Sequence, residues 1–111
     1  MKFSESMKKS RDFAYLYDNG KSYANKYLVM IVKENDSSKN LLGVSVSKKV
    51  GNSVIRHRLK RLIKESYRLH EEEFNSGLNI VVIARVSAAT ADYKHIESAL
   101  LHLATLHKIK S

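Results

Sequence analysis

Apolar and polar residues change their period along this chain of 111 residues, and each change marks an element. Residues 27–32 (Tyr-Leu-Val-Met-Ile-Val) and 80–84 (Ile-Val-Val-Ile-Ala) are short runs rich in β-branched residues, and both predict strands. Between them, Leu42, Val44 and Val46 alternate with Gly43, Ser45 and Ser47. That period of two predicts a strand with one apolar face in the core and one small polar face, over which a ligand can lie close to the sheet. Residues 34–40 are polar and predict a hairpin loop, and residues 21–24 predict a further short strand.

From about Ser53 to Glu72 the period becomes helical. At ~100° per residue, Ile55, Leu59, Leu62, Ser66 and Leu69 share one face and Ile63 widens it. His57, Lys60, Arg61, Lys64 and Arg68 lie roughly opposite. Asn52 or Ser53 is the expected cap. Three acids, Glu71, Glu72 and Glu73, oppose the dipole at the helix C-terminus and predict a solvated, fraying end. A shorter first helix is expected between Ser10, as its cap, and Asn19-Gly20, as a left-handed ending. A last helix from about Asp92 to Lys108 buries Ile96, Ala99, Leu100, Leu103 and Leu106, after a small-residue connector at 87–90. The order is α-β-β-β-α-β-α, an α+β sandwich with three helices packed on one small sheet.

Composition narrows the class. The length, with 43% hydrophobic and 28% charged residues, predicts one globular domain over residues 1–111. Without cysteine there is no disulfide, thiolate metal site or cysteine nucleophile. No apolar run approaches the ~18 residues of a membrane span, and the Met1-Lys2-Phe3-Ser4-Glu5 start has no signal-peptide stretch. The expected setting is the cytoplasm, with no membrane and no obligate protein partner.

Charge changes the picture more. Residues 48–68 hold Lys48, Lys49, Arg56, Arg58, Lys60, Arg61, Lys64 and Arg68 against Glu65 alone, a net +7 of the chain's +9. Lys60, Lys64 and Arg68 repel one another at helical spacing, where an ordinary exposed helix mixes signs. A cationic face of this kind is completed by a polyanion: RNA, DNA or an anionic membrane surface, with nucleic acid favoured. Phe13 and Tyr17, one turn apart on the first helix, read either as core or as a stacking platform for unpaired bases, and spacing alone favours core. The five histidines are scattered outside metal-ligand spacings and the acids do not converge as a two-metal nuclease needs. No catalytic residue and no protein-held metal is therefore expected.

The residues then become specific. Ser47-Lys48-Lys49-Val50-Gly51-Asn52, followed by Arg56-His57-Arg58-Leu59-Lys60-Arg61, resembles the signature of the bacterial ribonuclease P protein subunit, a Ser-Lys-Lys-x-Gly-Asn stretch before a basic helix opening Arg-Asn-Arg. The similarity extends to Lys9-Ser10-Arg11-Asp12-Phe13, Gly20-Lys21-Ser22, Ala24-Asn25-Lys26-Tyr27, Ile83-Ala84-Arg85, Ser87-Ala88-Ala89-Thr90 and Leu100-Leu101-His102-Leu103, in order along nearly the whole chain.

The resemblance implies an α-β sandwich with a left-handed βαβ crossover, and a small protein partner of a catalytic RNA that removes the 5′ leader of precursor tRNA. The RNA and its Mg²⁺ ions would carry the hydrolysis. By position, Lys48, Asn52, Arg56, His57, Arg58, Lys60, Arg61, Lys64 and Arg68 would face the catalytic RNA. Phe13, Tyr17, Val29, Ile31, Ser45, Ser47, Lys49 and Arg85 would line the leader cleft, which reverses the reading of the two aromatics as core. His57 stands where the family usually has Asn, and a neutral imidazole donates one hydrogen bond where the amide donates two. The rival readings are a ribosome-associated or general RNA-binding module and, behind it, a protein-only nuclease.

Overall fold

A computed structural model describes residues 2–111; Met1 lies outside the described residues. The expected order is present with one strand added ahead of it. The strands are β1 (Ser4–Ser6), β2 (Lys21–Ala24), β3 (Leu28–Glu34), β4 (Asn40–Ser45) and β5 (Leu78–Ala84). The helices are α1 (Ser10–Asn19), α2 (Ser53–His70) and α3 (Tyr93–Leu106), with 3-10 turns at Glu71–Glu73 and Val86–Thr90. One mixed sheet has the order β1-β4-β5-β3-β2. β4 runs parallel to β5 and reaches it through α2, which forms the βαβ crossover; β3 is antiparallel to both β5 and β2.

Both faces of the sheet are covered, which is why β3 and β5 are apolar almost throughout. On one face Leu28, Met30, Ile80 and Val82 pack with Leu59, Ile63, Tyr67, Ile96, Leu100 and Leu103 beneath α2 and α3. On the other, α1 lays Leu16 over Ile31 and Val81, with Met7 beside them. The α1 layer is much the thinner, since Leu16 is its one buried residue.

β1 has no apolar alternation and is held by polar bonds instead. The Glu71 carboxylate accepts the backbone N–H groups of Lys2 at 2.8 Å and Phe3 at 3.0 Å, and Ser4 Oγ lies 2.7 Å from the Tyr67 hydroxyl. Tyr67 also accepts from Asn40 Nδ2 at 3.1 Å. Burial alone would raise the Glu71 carboxyl, yet the bonds it accepts hold it below the usual glutamate value. This corrects the reading of the acid run as a solvated, frayed end: Glu71 is only 6% exposed, and Glu73 pairs with His70 and Lys110.

The buried stripe of α2 is also rotated from its expected position. Leu59, Ile63, Ser66 and Tyr67 are fully buried, whereas Leu69 is 56% exposed. At α1, Lys9 rather than Ser10 is the cap and makes no side-chain bond, and Gly20 has φ −81°, so the left-handed ending is absent. Gly20 is needed for a close approach, because a Cβ there would collide with Ile31 and stand 2.8 Å from the Leu16 carbonyl oxygen. Leu106, expected in the core, is 39% exposed at the end of α3.

Candidate nucleic-acid interface

Asn52 caps α2 by accepting the Ile55 N–H at 3.0 Å, and the helix sits on the sheet through Leu59 and Ile63. Anchored on that side, it turns His57, Arg61, Lys64 and Arg68 to solvent and holds Arg56, Arg58 and Lys60 half-buried at the margins. Lys48 and Lys49 are exposed in the turn that feeds the helix. Among the described residues, Arg68 is the one cation of this set paired with an acid: Glu65 accepts from it, and that bond holds the Glu65 carboxyl below its usual value. Arg61 and Lys64 are thus left on the exposed face of α2 without an acid partner among the described residues.

Two arginines do something the spacing does not show. Arg58 clasps the connector after β5, with Nη1 donating to the Ala91 carbonyl at 3.0 Å and Nη2 to the Ala89 and Ala91 carbonyls at 3.1 and 3.0 Å. Its fork is occupied by backbone, which ties α2 to the approach of α3. Arg56 is the opposite case: its Nε–H is buried with no hydrogen-bond partner among the described residues. An unsatisfied buried donor costs about 1–3 kcal/mol, and an anion reaching this margin would satisfy it.

A second feature adjoins the first. Between α1 and the end of β4 lies an open groove of about 390 Å³ lined by Phe13, Ala14, Tyr17, Ser45, Val46 and Lys60. Phe13 is half-buried, Tyr17 is 49% exposed, and both turn toward the groove. Lys60, expected on the outer face of α2, stands instead in the wall opposite the aromatics. Beyond the groove, one register row of the sheet is only partly covered by α1. In register, Ser45 neighbours Ile83, Ile83 neighbours Val29, and Val29 neighbours Ala24, a row crossing four strands. Ser45, Ile83 and Val29 are each partly exposed, and Ser47, Lys49 and Arg85 are exposed at the strand ends.

Ile31, expected to line this cleft, is 7% exposed under Leu16 and Gly20, because α1 lies directly on it. Ile83 and Ala24 take part in the row without having been singled out. The two-residue period of β5 carries the signal for Ile83, since it places Ile83 on the same face as Val81. Arg85 sits at the far end of the row and donates from Nη1 to the Asn25 carbonyl at 2.7 Å. Chemically, the arrangement offers an unneutralised cationic face, a stacking wall and a shallow floor of small and aliphatic side chains. That set suits an extended single-stranded polyanion.

Known proteins place this architecture. A family model described as Ribonuclease P matches residues 1–108. The ribonuclease P protein component of Lachnoclostridium phytofermentans is 61% identical over 108 residues, spanning 97% of this chain and 93% of that protein. Its counterpart from Alkaliphilus metalliredigens is 48% identical over 111 residues, the whole of both chains. Among solved structures, the Staphylococcus aureus RNase P protein superposes with a TM-score of 0.88 at 34% identity, covering 96% of this chain and 97% of that one. The RNase P protein from Thermotoga maritima gives 0.84 at 30% identity, covering 96% and 98%. With a family match over nearly the whole chain and the same fold in the solved structures, the chain belongs to the ribonuclease P protein family, the protein subunits of the enzyme that matures the 5′ end of tRNA.

Proposed function

We propose that residues 1–111 act as one cytoplasmic domain that joins a catalytic RNA to the single-stranded leader of its precursor tRNA, with no obligate protein partner. The observation that carries this reading is the adjacency of two surfaces. The outer face of α2 presents Arg61 and Lys64 free of carboxylates, and one turn away Lys60 faces Phe13 and Tyr17 across the groove. The catalytic RNA meets the outer face, Lys48 and the Asn52–His57 end of α2. The leader lies in the groove and along the open row, its backbone met by Lys49, Lys60 and Arg85 and its bases stacked on the aromatics. Contacts of this kind read charge and shape, so leader sequence preference is weak.

The protein brings cations to a junction where three sets of phosphates crowd together. Each phosphate neutralised releases counterions, with a log–log salt slope of about −0.7 to −0.9. The residues facing the groove and the outer helix face are cations, aromatics, aliphatics and serines, and Glu65 is already bonded to Arg68. Mg²⁺ takes oxygen ligands, carboxylates and phosphates foremost, so this side-chain set does not fit it. The ion belongs with the RNA and the precursor, which carry the cleavage chemistry.

Multiple-turnover cleavage of precursor tRNA by the catalytic RNA, with and without this protein at low Mg²⁺, tests the proposal. The protein is expected to raise the rate there and to matter less at high Mg²⁺. Equal rates at low Mg²⁺ would overturn it. Binding to ribosomal RNA without any effect on cleavage would favour a general RNA-binding module instead.

A further inference from the structure

α2 and α3 form one helical layer on the face of the sheet opposite α1, with α2 over β4 and α3 over β3 and β2. Where α3 passes the turn between β2 and β3, a pocket of about 220 Å³ opens in this layer. Its walls are Lys26, Tyr27, His95, Ser98 and His102. Tyr27 packs against the core on the α3 side, so the pocket and the row beneath α1 lie on opposite faces of the sheet. The turn that carries Lys26 and Tyr27 is well held. Asn25 Oδ1 accepts the N–H groups of Tyr27 and Leu28 at 3.3 and 3.1 Å, while its Nδ2 donates to the Ala99 carbonyl at 2.9 Å. These bonds fix the backbone and leave Lys26 exposed at the rim.

The chemistry on offer is particular. Lys26 Nζ stands 5.2 Å from the centre of the Tyr27 ring, and the Tyr27 and His95 rings lie 5.5 Å apart, tilted by 46°. Two backbone N–H groups occupy Asn25 Oδ1, so the atom 3.1 Å from His102 Nδ1 is the amide nitrogen. An amide nitrogen only donates; His102 Nδ1 therefore accepts, and the neutral ring carries its proton on Nε2 as a donor. The acid beside the pocket, Asp92, is engaged by His95 Nδ1 at 2.8 Å. One cation, one N–H donor and two ring faces fill a space smaller than the ~300–1,000 Å³ of small-molecule sites. They match an unpaired nucleotide, with base on Tyr27 and His95 and phosphate on Lys26 and His102.

The 3-10 turn at Val86–Thr90 says which RNA supplies the nucleotide, because it joins the pocket to α2. On the pocket side, the Ser87 hydroxyl donates to the Lys26 carbonyl; on the α2 side, the Ala89 carbonyl accepts from Arg58. Ser87 and Ala89 are two residues apart, about 4 Å at the ~2 Å rise of such a turn. Beyond it, His57, Arg58 and Arg61 line a hollow at the start of α2, within the surface assigned to the catalytic RNA. A strand lying there crosses a single turn to reach the pocket, on the same side of the sheet. We propose that the Lys26–Tyr27–His95–His102 pocket takes an unpaired nucleotide of the catalytic RNA, a second anchor beside the α2 contact. The inference rests on α2 being the catalytic-RNA face.

The test measures binding of this protein to its catalytic RNA across a salt series and probes the RNA bases chemically in the complex. Wild type is compared with Lys26→Gln, Tyr27→Leu and Arg61→Gln. Lys26→Gln is expected to weaken catalytic-RNA binding about fivefold and to reduce the salt slope by about 0.7, the loss of one single-strand phosphate contact. An unpaired base of the catalytic RNA that wild type protects becomes reactive with Lys26→Gln and Tyr27→Leu, and stays protected with Arg61→Gln. Precursor affinity of the assembled holoenzyme holds with Lys26→Gln. Unchanged binding and protection with Lys26→Gln overturn the site. A loss of precursor affinity alone also overturns it, because the occupant would then be the substrate. If Arg61→Gln leaves catalytic-RNA binding unchanged, the α2 reading has failed; a base exposed by Lys26→Gln beside that result would leave the pocket standing.

Discussion

The Phe13 ring lies over Gly43 so closely that a β-carbon on residue 43 would stand 2.8 Å from its Cε1 and Cζ. The small face of β4 therefore exists to seat this aromatic, which forms the inner wall of the groove. Gly43→Ala is expected to push the ring outward and to destabilise the protein by about 1–3 kcal/mol through overpacking. Precursor affinity falls with it, while affinity for mature tRNA does not. Thermal denaturation and the two affinities check this; an unaltered protein on all three counts would show that the ring moves freely.

Glu71 gives a prediction about acid. Its folded value is depressed, so the stability it contributes is present above the ordinary glutamate pKa and is lost as pH falls through the lower folded one. Glu71→Ala frees the backbone N–H groups of Lys2 and Phe3 and should cost about 2 kcal/mol near neutral pH. The gap from wild type should narrow in acid. Hydrogen exchange should show β1 opening before the rest of the sheet.

His70 sits between Glu97, 2.9 Å from its Nε2, and Glu73 at its Nδ1. Bonds to both carboxylates, Glu97's foremost, raise its pKa, since only the imidazolium donates from both nitrogens. Its contribution is complete below the ordinary histidine pKa and is lost as pH rises through the higher folded value. Glu73 and Glu97 are depressed, so their share is lost in acid. The Tm difference between wild type and His70→Gln should peak in mildly acidic buffer and shrink toward both ends. His107, lowered chiefly by burial, titrates in both proteins and cancels in that difference.

Most of the element pattern was legible because α2, α3, β3, β4 and β5 bury a regular stripe or face, and burial follows period. β1 was not, since Ser4-Glu5-Ser6 earns its place through Tyr67 and Glu71, partners more than sixty residues away. The same cause hid Arg58: nothing in Arg-His-Arg tells which guanidinium will find the Ala89 and Ala91 carbonyls. Phe13 and Tyr17 show the limit for function. Their spacing favours core, yet both line the groove and Tyr17 is 49% exposed; the decision lies in how much sheet α1 leaves bare, a property of three-dimensional packing. The family resemblance assigned the cleft residue by residue, and one residue of that assignment, Ile31, is covered by α1.

Arg58 and Arg61 separate fold from binding. Arg58→Ala leaves two backbone carbonyls without donors and should lower Tm, by about 1–3 kcal/mol in stability. Arg61→Gln, on the exposed face, should leave Tm within error and reduce the salt slope for catalytic-RNA binding by about 0.7–0.9. Loss of RNA affinity without loss of stability for Arg58→Ala would mean that its fork leaves the carbonyls to take phosphate.

Lys60 and Lys64 are one helical turn apart and are expected to report on different RNAs. Lys60 is half-buried in the groove wall facing Phe13 and Tyr17, whereas Lys64 is exposed on the outer face. A charge beside an aromatic wall and partly screened from water interacts more strongly with a phosphate than one in the open. Lys60→Gln should therefore weaken precursor binding by the holoenzyme more than it weakens catalytic-RNA binding by the protein, and Lys64→Gln should do the reverse. The two affinities for each variant, measured at one salt concentration, decide it. Parallel losses for both variants would merge groove and helix face into a single RNA contact, and the leader would then have to be sought elsewhere on the sheet.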